Sequence, residues 1–243
     1  MRCALLHGFA GDPGVWGYAI SGLSHLGPLS LIPLPGHSRA PNDWPVLPTW
    51  DENIAATAQL IGECDVVVGY SLGARVALAL VASGRASRAV LIGVNPGLDD
   101  AERAGRRAID AKWAAMLREQ GLAAFDTAWT AQPLFATQTR APAEMRVARR
   151  ERRLKLDPEQ LARSLEVMGL AEMPDYRGVM EAHRDQIALI AGADDAKYAA
   201  FTRDLPAISR ELIAGSGHDP TLEQPAELAA AIARAVRRLD AES

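Results

Sequence analysis

A serine in a glycine-flanked turn is the residue of this chain best suited to do chemistry. Residues 69–73 read Gly-Tyr-Ser-Leu-Gly, a G-x-S-x-G pattern with Ser71 at its centre. The apolar run 66–68 precedes the motif, and a stretch of helical composition, 74–82, follows it. A strand, a sharp turn and a helix in this order hold the hydroxyl above the helix N-terminus, and the glycines relieve the crowding around it. Ser71 is therefore a candidate nucleophile or base.

A serine hydroxyl needs an imidazole to accept its proton, and a carboxylate to hold that imidazole in the correct tautomer. After a G-x-S-x-G serine, the acid precedes the histidine along the chain. The predicted strand 187–191 is followed by Asp194 and Asp195, and the predicted strand 210–214 is followed by His218. Open α/β sheets place their ligands past such strand ends. The Gly-x-x-Asp spacing favours Asp195, although the adjacent Asp194 stays open at this point. The predicted triad is Ser71, Asp195 and His218.

Two backbone N–H groups are candidates for an oxyanion hole, the arrangement that stabilises developing negative charge. One belongs to Leu72, directly after the serine. The other belongs to Phe9, in the loop after the first predicted strand, where Gly8 lets the backbone approach a substrate. His7 in the same loop, and His37 in the turn at 33–37, are better explained as structural residues than as catalytic ones.

Short apolar segments alternate with helical stretches along most of the chain. Several of these segments lack polar alternation, which is typical of parallel strands covered on both faces. The pattern predicts a doubly wound α/β sheet. The predicted strands are Cys3–Leu6, Leu29–Leu34, Val66–Val68, Ala89–Val94, Ile187–Ala191 and Arg210–Ala214. The predicted helices are Val15–Leu26, Asp51–Cys64, Leu72–Ser83, Lys197–Leu205 and Gln224–Leu239.

One region interrupts this alternation. Residues 97–173 are rich in Ala, Arg, Glu and Leu at helical spacing and contain no convincing strand. They predict a helical lid inserted over the strand ends. The expected organisation is a first core segment at 1–96, the lid at 97–173 and a second core segment at 174–243.

Composition bounds the function. A chain of 243 residues suits one large α/β domain. The net charge of −4 gives no reason to expect a nucleic acid or an anionic membrane as partner. Cys3 and Cys64 form neither a metal-like cluster nor a disulfide framework. No signal peptide and no membrane-spanning run is evident, so we expect a cytoplasmic protein with no metal.

An arginine follows the serine by four residues. Arg75 falls on the first turns of the helix that begins after Ser71. The planar guanidinium binds carboxylates with two parallel hydrogen bonds. Arg75 is therefore a candidate carboxylate receptor beside the hydroxyl, with a solvated or purely structural helix arginine as the alternative.

Several stretches together carry a more specific resemblance, over nearly the whole chain. They are His7-Gly8-Phe9, Gly69 to Arg75, Trp129-Thr-Ala-Gln-Pro-Leu-Phe135, Arg153-Leu154, Asp157-Pro-Glu159, Leu161 to Leu165, Met168-Gly169, Gly192 to Tyr198, Gly217-His218 and Glu223-Gln-Pro225. With them the chain resembles the 2-succinyl-6-hydroxy-2,4-cyclohexadiene-1-carboxylate synthases, enzymes of menaquinone biosynthesis in the α/β-hydrolase superfamily. Two residues depart from that family, since Pro33 replaces an aspartate and Ala74 replaces a glycine. Because the sequence enters a predicted strand at once, we also expect it to lack the fold's common N-terminal hairpin.

The resemblance implies an α/β-hydrolase fold with a mostly parallel sheet of about six strands and an inserted helical lid. It implies a carbon–oxygen lyase without metal or organic cofactor, which eliminates pyruvate from 2-succinyl-5-enolpyruvyl-6-hydroxy-3-cyclohexene-1-carboxylate, a small polycarboxylate. On this interpretation, Ser71 removes a ring proton with the help of His218. The implied substrate contacts are Tyr70, Arg75, Arg106, Trp129 and Arg153.

Both the lid arginines and the reaction have a second interpretation. Arg107, Arg149, Arg150 and Arg152 lie close to the two lid positions, so the register is open. A surface face paired with Glu102, Glu144 and Glu151 is the structural explanation for these arginines. The same triad would also serve a serine esterase or C–C bond hydrolase in which Ser71 is a covalent nucleophile. A ligand receptor on this fold would bind without turnover.

Overall fold

The computed structural model describes residues 1–38 and 43–241, and its centre is a six-stranded parallel sheet. The strands are β1 (Cys3–Leu6), β2 (Leu29–Ile32), β3 (Val66–Tyr70), β4 (Ala89–Ile92), β5 (Ile187–Gly192) and β6 (Ser209–Ile213). Their order is β2-β1-β3-β4-β5-β6, and each neighbouring pair is parallel. The four inner strands are buried along their whole length, as their continuous apolar sequences require. The predicted fold class is confirmed.

Helices cover both faces of the sheet. They are α1 (Ile20–Leu23), α2 (Trp50–Ile61), α3 (Leu72–Ala82), α4 (Asp100–Thr130), α5 (Ala143–Arg153), α6 (Pro158–Met168), α7 (Arg177–Ala182), α8 (Ala196–Asp204), α9 (Pro220–Glu223) and α10 (Pro225–Ala241). Successive strand residues point to opposite faces. Leu6 accordingly packs in the core with α2 and α3, whereas Leu5 packs with α1 and α10. The site therefore rests on a sheet held from both sides.

The predicted helix at Val15–Leu26 is wrong. The chain forms a 3-10 helix at Pro13–Trp16, the single turn of α1 and a second 3-10 turn at Ser24–Leu26. Two glycines weaken a continuous helix here. One of them, Gly22, permits close packing, since a Cβ at this position would lie 2.8 Å from the Cβ of Ala229 on α10.

The segment between β4 and β5 is helical and packs over the strand ends. It contains α4, a 3-10 helix at Pro133–Arg140, α5 and α6 before residue 173. Gly121 breaks the long α4 with φ 75° and ψ 179°. The two parts of α4 and α6 enclose an apolar cluster that includes Leu117, Phe125 and Leu161. The helical content at 97–173 agrees with the expectation, while the division into separate units at 96 and 173 stays a prediction.

Candidate active site

The turn between β3 and α3 holds Ser71 in a backbone conformation that side chains rarely adopt. Its φ is 54° and its ψ is −107°. The flanking glycines make this turn sterically allowed. A Cβ on Gly69 would lie 2.2 Å from the carbonyl oxygen of Gly73, and a Cβ on Gly73 would lie 2.4 Å from that of Leu6. Backbone strain of this kind costs about 1–3 kcal/mol and is concentrated at functional sites.

Three side chains from separate loops meet at this turn. The hydroxyl of Ser71 donates to Nε2 of His218 over 3.1 Å. The Nδ1–H of His218 donates to Oδ2 of Asp195 over 2.8 Å. His218 and Asp195 are both buried. The other oxygen of Asp195 accepts the N–H of Tyr198 over 3.3 Å, which fixes the carboxylate at the start of α8. The arrangement can pass a proton from the serine oxygen to the imidazole.

The neighbouring aspartate points elsewhere. Asp194 forms an ion pair with Arg140, which belongs to the helical segment inserted between β4 and β5 (the insertion, 97–173). The side chain of Asp194 is 37% exposed. The choice between the two aspartates, which the sequence left open, is therefore decided by geometry, because the carboxylate of Asp195 contacts the imidazole.

The loop after β1 places a second N–H group near the serine. A Cβ on Gly8 would lie 2.8 Å from the ring of Tyr70 and 3.4 Å from the Cβ of Ser71, so only glycine fits this approach. In the described part of the chain, neither Phe9 nor Leu72 donates its N–H to a protein acceptor. Both groups remain candidates for the oxyanion hole.

His7 connects this loop to the one after β2. Its Nδ1–H donates to the carbonyl of Gly8 over 2.8 Å, while its Nε2 accepts the N–H of Leu34 over 3.0 Å. Burial lowers the pKa of His7 to about 4, and burial also lowers the pKa of its neighbour His37 to about 3. A neutral imidazole with both nitrogens bonded to backbone fits the structural role expected for His7.

Arg75 reaches into the cavity above the triad. Its Nη1 donates to the carbonyl oxygen of Met168 over 2.9 Å, and its guanidinium carbon lies 5.8 Å from the ring centre of Trp50. Burial, and then the positive charge of Arg106, lower the pKa of Arg75 to about 10. Among the described residues it has no carboxylate within ion-pair distance. The described part of the cavity therefore contains a cation that lacks a counter-charge.

Two arginines of the insertion that the resemblance implicated also line this cavity. Arg106 is bonded to Asp110 over 2.8 Å, and Arg153 is bonded to Asp126 over 2.5 Å and to the carbonyl of Ala10 over 3.0 Å. Burial lowers the pKa of Arg153 against the opposing effect of Asp126.

A third arginine, Arg149, lines the cavity as well and contacts Asp219 over 2.8 Å. The arginines beside these positions turn away from the triad: Arg107 pairs with Glu172, Arg150 with Asp126 and Arg152 with Asp12. Among the described residues, none of these arginines pairs with Glu102, Glu144 or Glu151, the surface partners that the alternative interpretation named. Their partners come mainly from other segments of the chain.

Aromatic side chains form the remaining wall. Trp129 lies 5.2 Å from both Phe9 and Phe125, ring centre to ring centre. Tyr70 is buried with its ring 5.7 Å from that of His218, and burial raises its pKa well above the usual range. Both line the cavity, as the resemblance implied. Tyr198 was missed, although it lies three residues after Asp195; its ring is 4.5 Å from the imidazole.

A buried carboxylate behind the histidine was also missed. Glu223 accepts the N–H of Gly217 over 2.7 Å and the N–H of Asp219 over 3.3 Å. These two donors flank His218, so the carboxylate clamps the backbone on either side of it. Burial raises the pKa of Glu223. The six-residue spacing from Gly217 offered no signal, because only the fold of the loop brings the groups together.

No helix within residues 1–38 and 43–241 is both long enough and apolar enough to cross a membrane.

A family comparison agrees with this architecture. Residues 4–231 match a model described as the alpha/beta hydrolase family, so the chain belongs to that family. Within it, the chain is 32% identical over 239 residues to 2-succinyl-6-hydroxy-2,4-cyclohexadiene-1-carboxylate synthase of Enterobacter sp. (strain 638), covering 96% of this chain and 90% of the relative. The synthase of Salmonella agona is 33% identical over 241 residues, with 96% and 92% covered. The chain is a member of this synthase family and an enzyme.

Solved structures show the same fold. The structure of MenH from S. aureus superposes with a TM-score of 0.89 at 24% identity, covering 99% of this chain and 94% of that one. A malate-bound thermophilic esterase from Thermogutta terrifontis gives a TM-score of 0.77 at 23% identity, covering 98% and 90%. These likenesses concern the fold, which hosts several chemistries.

Proposed function

We propose that this enzyme eliminates pyruvate from 2-succinyl-5-enolpyruvyl-6-hydroxy-3-cyclohexene-1-carboxylate, a step of menaquinone biosynthesis. The product would be the compound for which the relatives are named. One observation carries the proposal: a serine bonded to an imidazole shares a cavity with Arg75, a half-buried cation without a carboxylate partner in the described residues.

The chemistry balances without an added reactant. In this substrate the ring hydrogen at C2 is acidic because it lies beside the succinyl ketone. When it is removed, the electron pair forms a C2–C3 double bond, the C3–C4 double bond moves to C4–C5, and the C5–O bond breaks. The leaving group departs as the enolate of pyruvate, which then takes up a proton. The ring is left as the 2,4-diene.

The triad supplies the proton transfer in this proposal. The Ser71 oxygen takes the ring proton as its own proton passes to Nε2 of His218, and the carboxylate of Asp195 stabilises the imidazolium that forms. Positioned acid–base transfer of this kind contributes about 10²–10⁴-fold. The N–H groups of Phe9 and Leu72 are the proposed donors to the ketone oxygen as negative charge develops there.

The arginines supply orientation. A charge that is partly withdrawn from water is costly unless it is paired, so a substrate carboxylate at Arg75 would provide the missing counter-charge. Arg106 and Arg153, which also line the cavity, are proposed for the remaining carboxylates, with Tyr70 and Trp129 against the ring. Holding the carboxylates turns the reacting hydrogen toward Ser71, which lowers the barrier by orientation.

The test is pyruvate release from this substrate by the purified protein. Ser71→Ala is expected to abolish release, and Arg75→Ala is expected to lower kcat/KM strongly. Arg237→Ala is the control for Arg75→Ala, because it removes one positive charge from the exposed face of α10. Full activity in Ser71→Ala would refute the assignment of the base.

Hydrolysis, the competing reaction, has its own readout. An esterase or C–C bond hydrolase would turn over p-nitrophenyl acetate efficiently and would carry a covalent phosphonate on Ser71, detected by mass. The lyase proposal predicts feeble ester turnover beside rapid pyruvate release. Efficient ester turnover without pyruvate release would replace the lyase assignment.

A further inference from the structure

Helix α5 carries four arginines on one side. Arg146, Arg149, Arg150 and Arg153 are spaced three, four and seven residues from the first, which places them on one helical face. All four line a groove beside the catalytic cavity, which we call the basic groove. Its other walls are the end of α4, the 3-10 helix at Pro133–Arg140 and Leu222 of α9.

The basic groove adjoins the catalytic cavity, and the two share part of one wall. Phe135, Gln138, Arg149 and Arg153 line both spaces. Arg149 stands at the junction and is 7% exposed. Its Nη1 donates to Asp219 and its Nη2 to Thr221, while its buried Nε finds no hydrogen-bond partner among the described residues.

Positive charge is in excess along this route. Among the described residues, Asp126 is the acid that lines the groove, and it is shared by Arg150 and Arg153. The partner of Arg149, Asp219, lines the catalytic cavity instead. Arg146 donates to the carbonyl of Ala141 over 3.2 Å. Like charges three and four residues apart repel each other on a helix. An incoming anion would relieve that repulsion.

We propose that the basic groove is the entrance for the substrate: it binds a polycarboxylate at Arg146 and Arg150 before the molecule passes Arg149 into the cavity. The identity of the substrate in this inference rests on the proposed function. The binding of a polycarboxylate anion by the groove does not depend on it. A surface lined by one sign of charge raises the association rate of an oppositely charged ligand, and salt suppresses that effect.

The experiment measures association of a stable probe, propane-1,2,3-tricarboxylate, by stopped-flow tryptophan fluorescence, since Trp129 and Trp113 line the cavity. Arg146→Gln and the double variant Arg146→Gln/Arg150→Gln are compared with Arg237→Gln, an exposed arginine on α10. The double variant is expected to slow association roughly tenfold at low ionic strength, the lower end of what electrostatic steering contributes. The difference should vanish at high salt, and Arg237→Gln should match the wild type.

The single variant guards against a folding artefact, because Arg146 donates only to a backbone carbonyl among the described residues. Association of both groove variants at the wild-type rate would overturn the proposal, as would equal slowing by Arg237→Gln or the absence of saturable probe binding to the wild type. Pyruvate release is measured separately. If the wild type releases none, the proposed function fails, whereas the probe still reports on the groove.

Discussion

Replacing Arg75 with methionine is expected to stabilise the fold while it weakens the enzyme. Burial, followed by the charge of Arg106, lowers the pKa of Arg75 from its usual range to about 10. At about 1.4 kcal/mol per pH unit, holding this charge in the folded protein costs about 3 kcal/mol. Because the folded pKa lies below the unfolded one, the penalty is fully present below about pH 10 and fades only as the pH rises from there toward the ordinary arginine pKa.

The net gain is smaller than this penalty. Methionine loses the hydrogen bond to the carbonyl of Met168, which is worth about 1 kcal/mol. We therefore expect the free energy of unfolding to rise by about 1–2 kcal/mol at neutral pH. In the same variant, the substrate carboxylate loses the guanidinium of Arg75 as its charge partner inside the cavity. Such a loss costs about 2–4 kcal/mol, or roughly 30- to 1000-fold in kcat/KM.

Urea unfolding followed by tryptophan fluorescence, together with pyruvate release, measures both sides of this exchange. Arg237→Met provides the matched control on an exposed helix face, where we expect a change within about 0.5 kcal/mol. Arg75→Lys keeps the charge but not the planar fork, so its activity should be intermediate. A less stable Arg75→Met protein with unchanged kcat/KM would show that Arg75 is a structural residue, and the reasoning from its missing counter-charge would be refuted.

Three further changes test the surroundings of the triad. The free energy of unfolding, measured in urea, should be about 1 kcal/mol higher for Ser71→Gly than for Ser71→Ala, because glycine tolerates the positive φ at this position. Equal stabilities would contradict the strain at residue 71. Glu223→Gln replaces one of the two carboxylate oxygens that accept backbone N–H groups with an N–H donor. We therefore expect kcat to fall at least tenfold at similar KM, and the free energy of unfolding to fall by about 1–3 kcal/mol. A change confined to KM would contradict the role of Glu223 in positioning the histidine. His7 and His37 have folded pKa values of about 4 and about 3, below the usual 6.5, so only the unfolded chain binds these protons as the pH falls from 6.5 toward 4. The free energy of unfolding should therefore decline over that range, as measured by urea unfolding at pH 7, 6 and 5. His37→Gln should reduce the number of protons taken up on unfolding by about one, which makes the decline with pH less steep. A decline as steep as in the wild type would contradict the buried neutral state of His37.

The sheet and the triad geometry could be anticipated because both follow from short-range patterns. Apolar runs without alternation mark the inner strands, and parallel strands bring their carboxyl ends to one edge of the sheet. Asp195 and His218 follow two such strands, so they could be placed near Ser71 before any contact was known. The Gly-x-x-Asp spacing favoured Asp195 but left Asp194 open, and the hydrogen bond from the imidazole to Asp195 decides between them.

The orientation of side chains in the insertion was harder to predict, because tertiary packing decides which face of each helix meets the cavity. Helical periodicity shows that Arg149 and Arg153 share a face, but it does not show which face meets the cavity. Their partners, Asp219 and Asp126, lie 70 and 27 residues away along the chain. The helix predicted at Val15–Leu26 failed for a related reason, since one of its two glycines, Gly22, lies against Ala229 of α10, a tertiary contact that local propensity does not reveal.

The central claim is that Ser71 removes a ring proton and forms no covalent intermediate. Pyruvate release from substrate deuterated at ring C2 tests this claim most directly, with the protein analysed by mass spectrometry during turnover. We predict a primary isotope effect on kcat/KM and an unmodified Ser71. Release at equal rates from both isotopologues, with substrate attached to Ser71, would contradict the account.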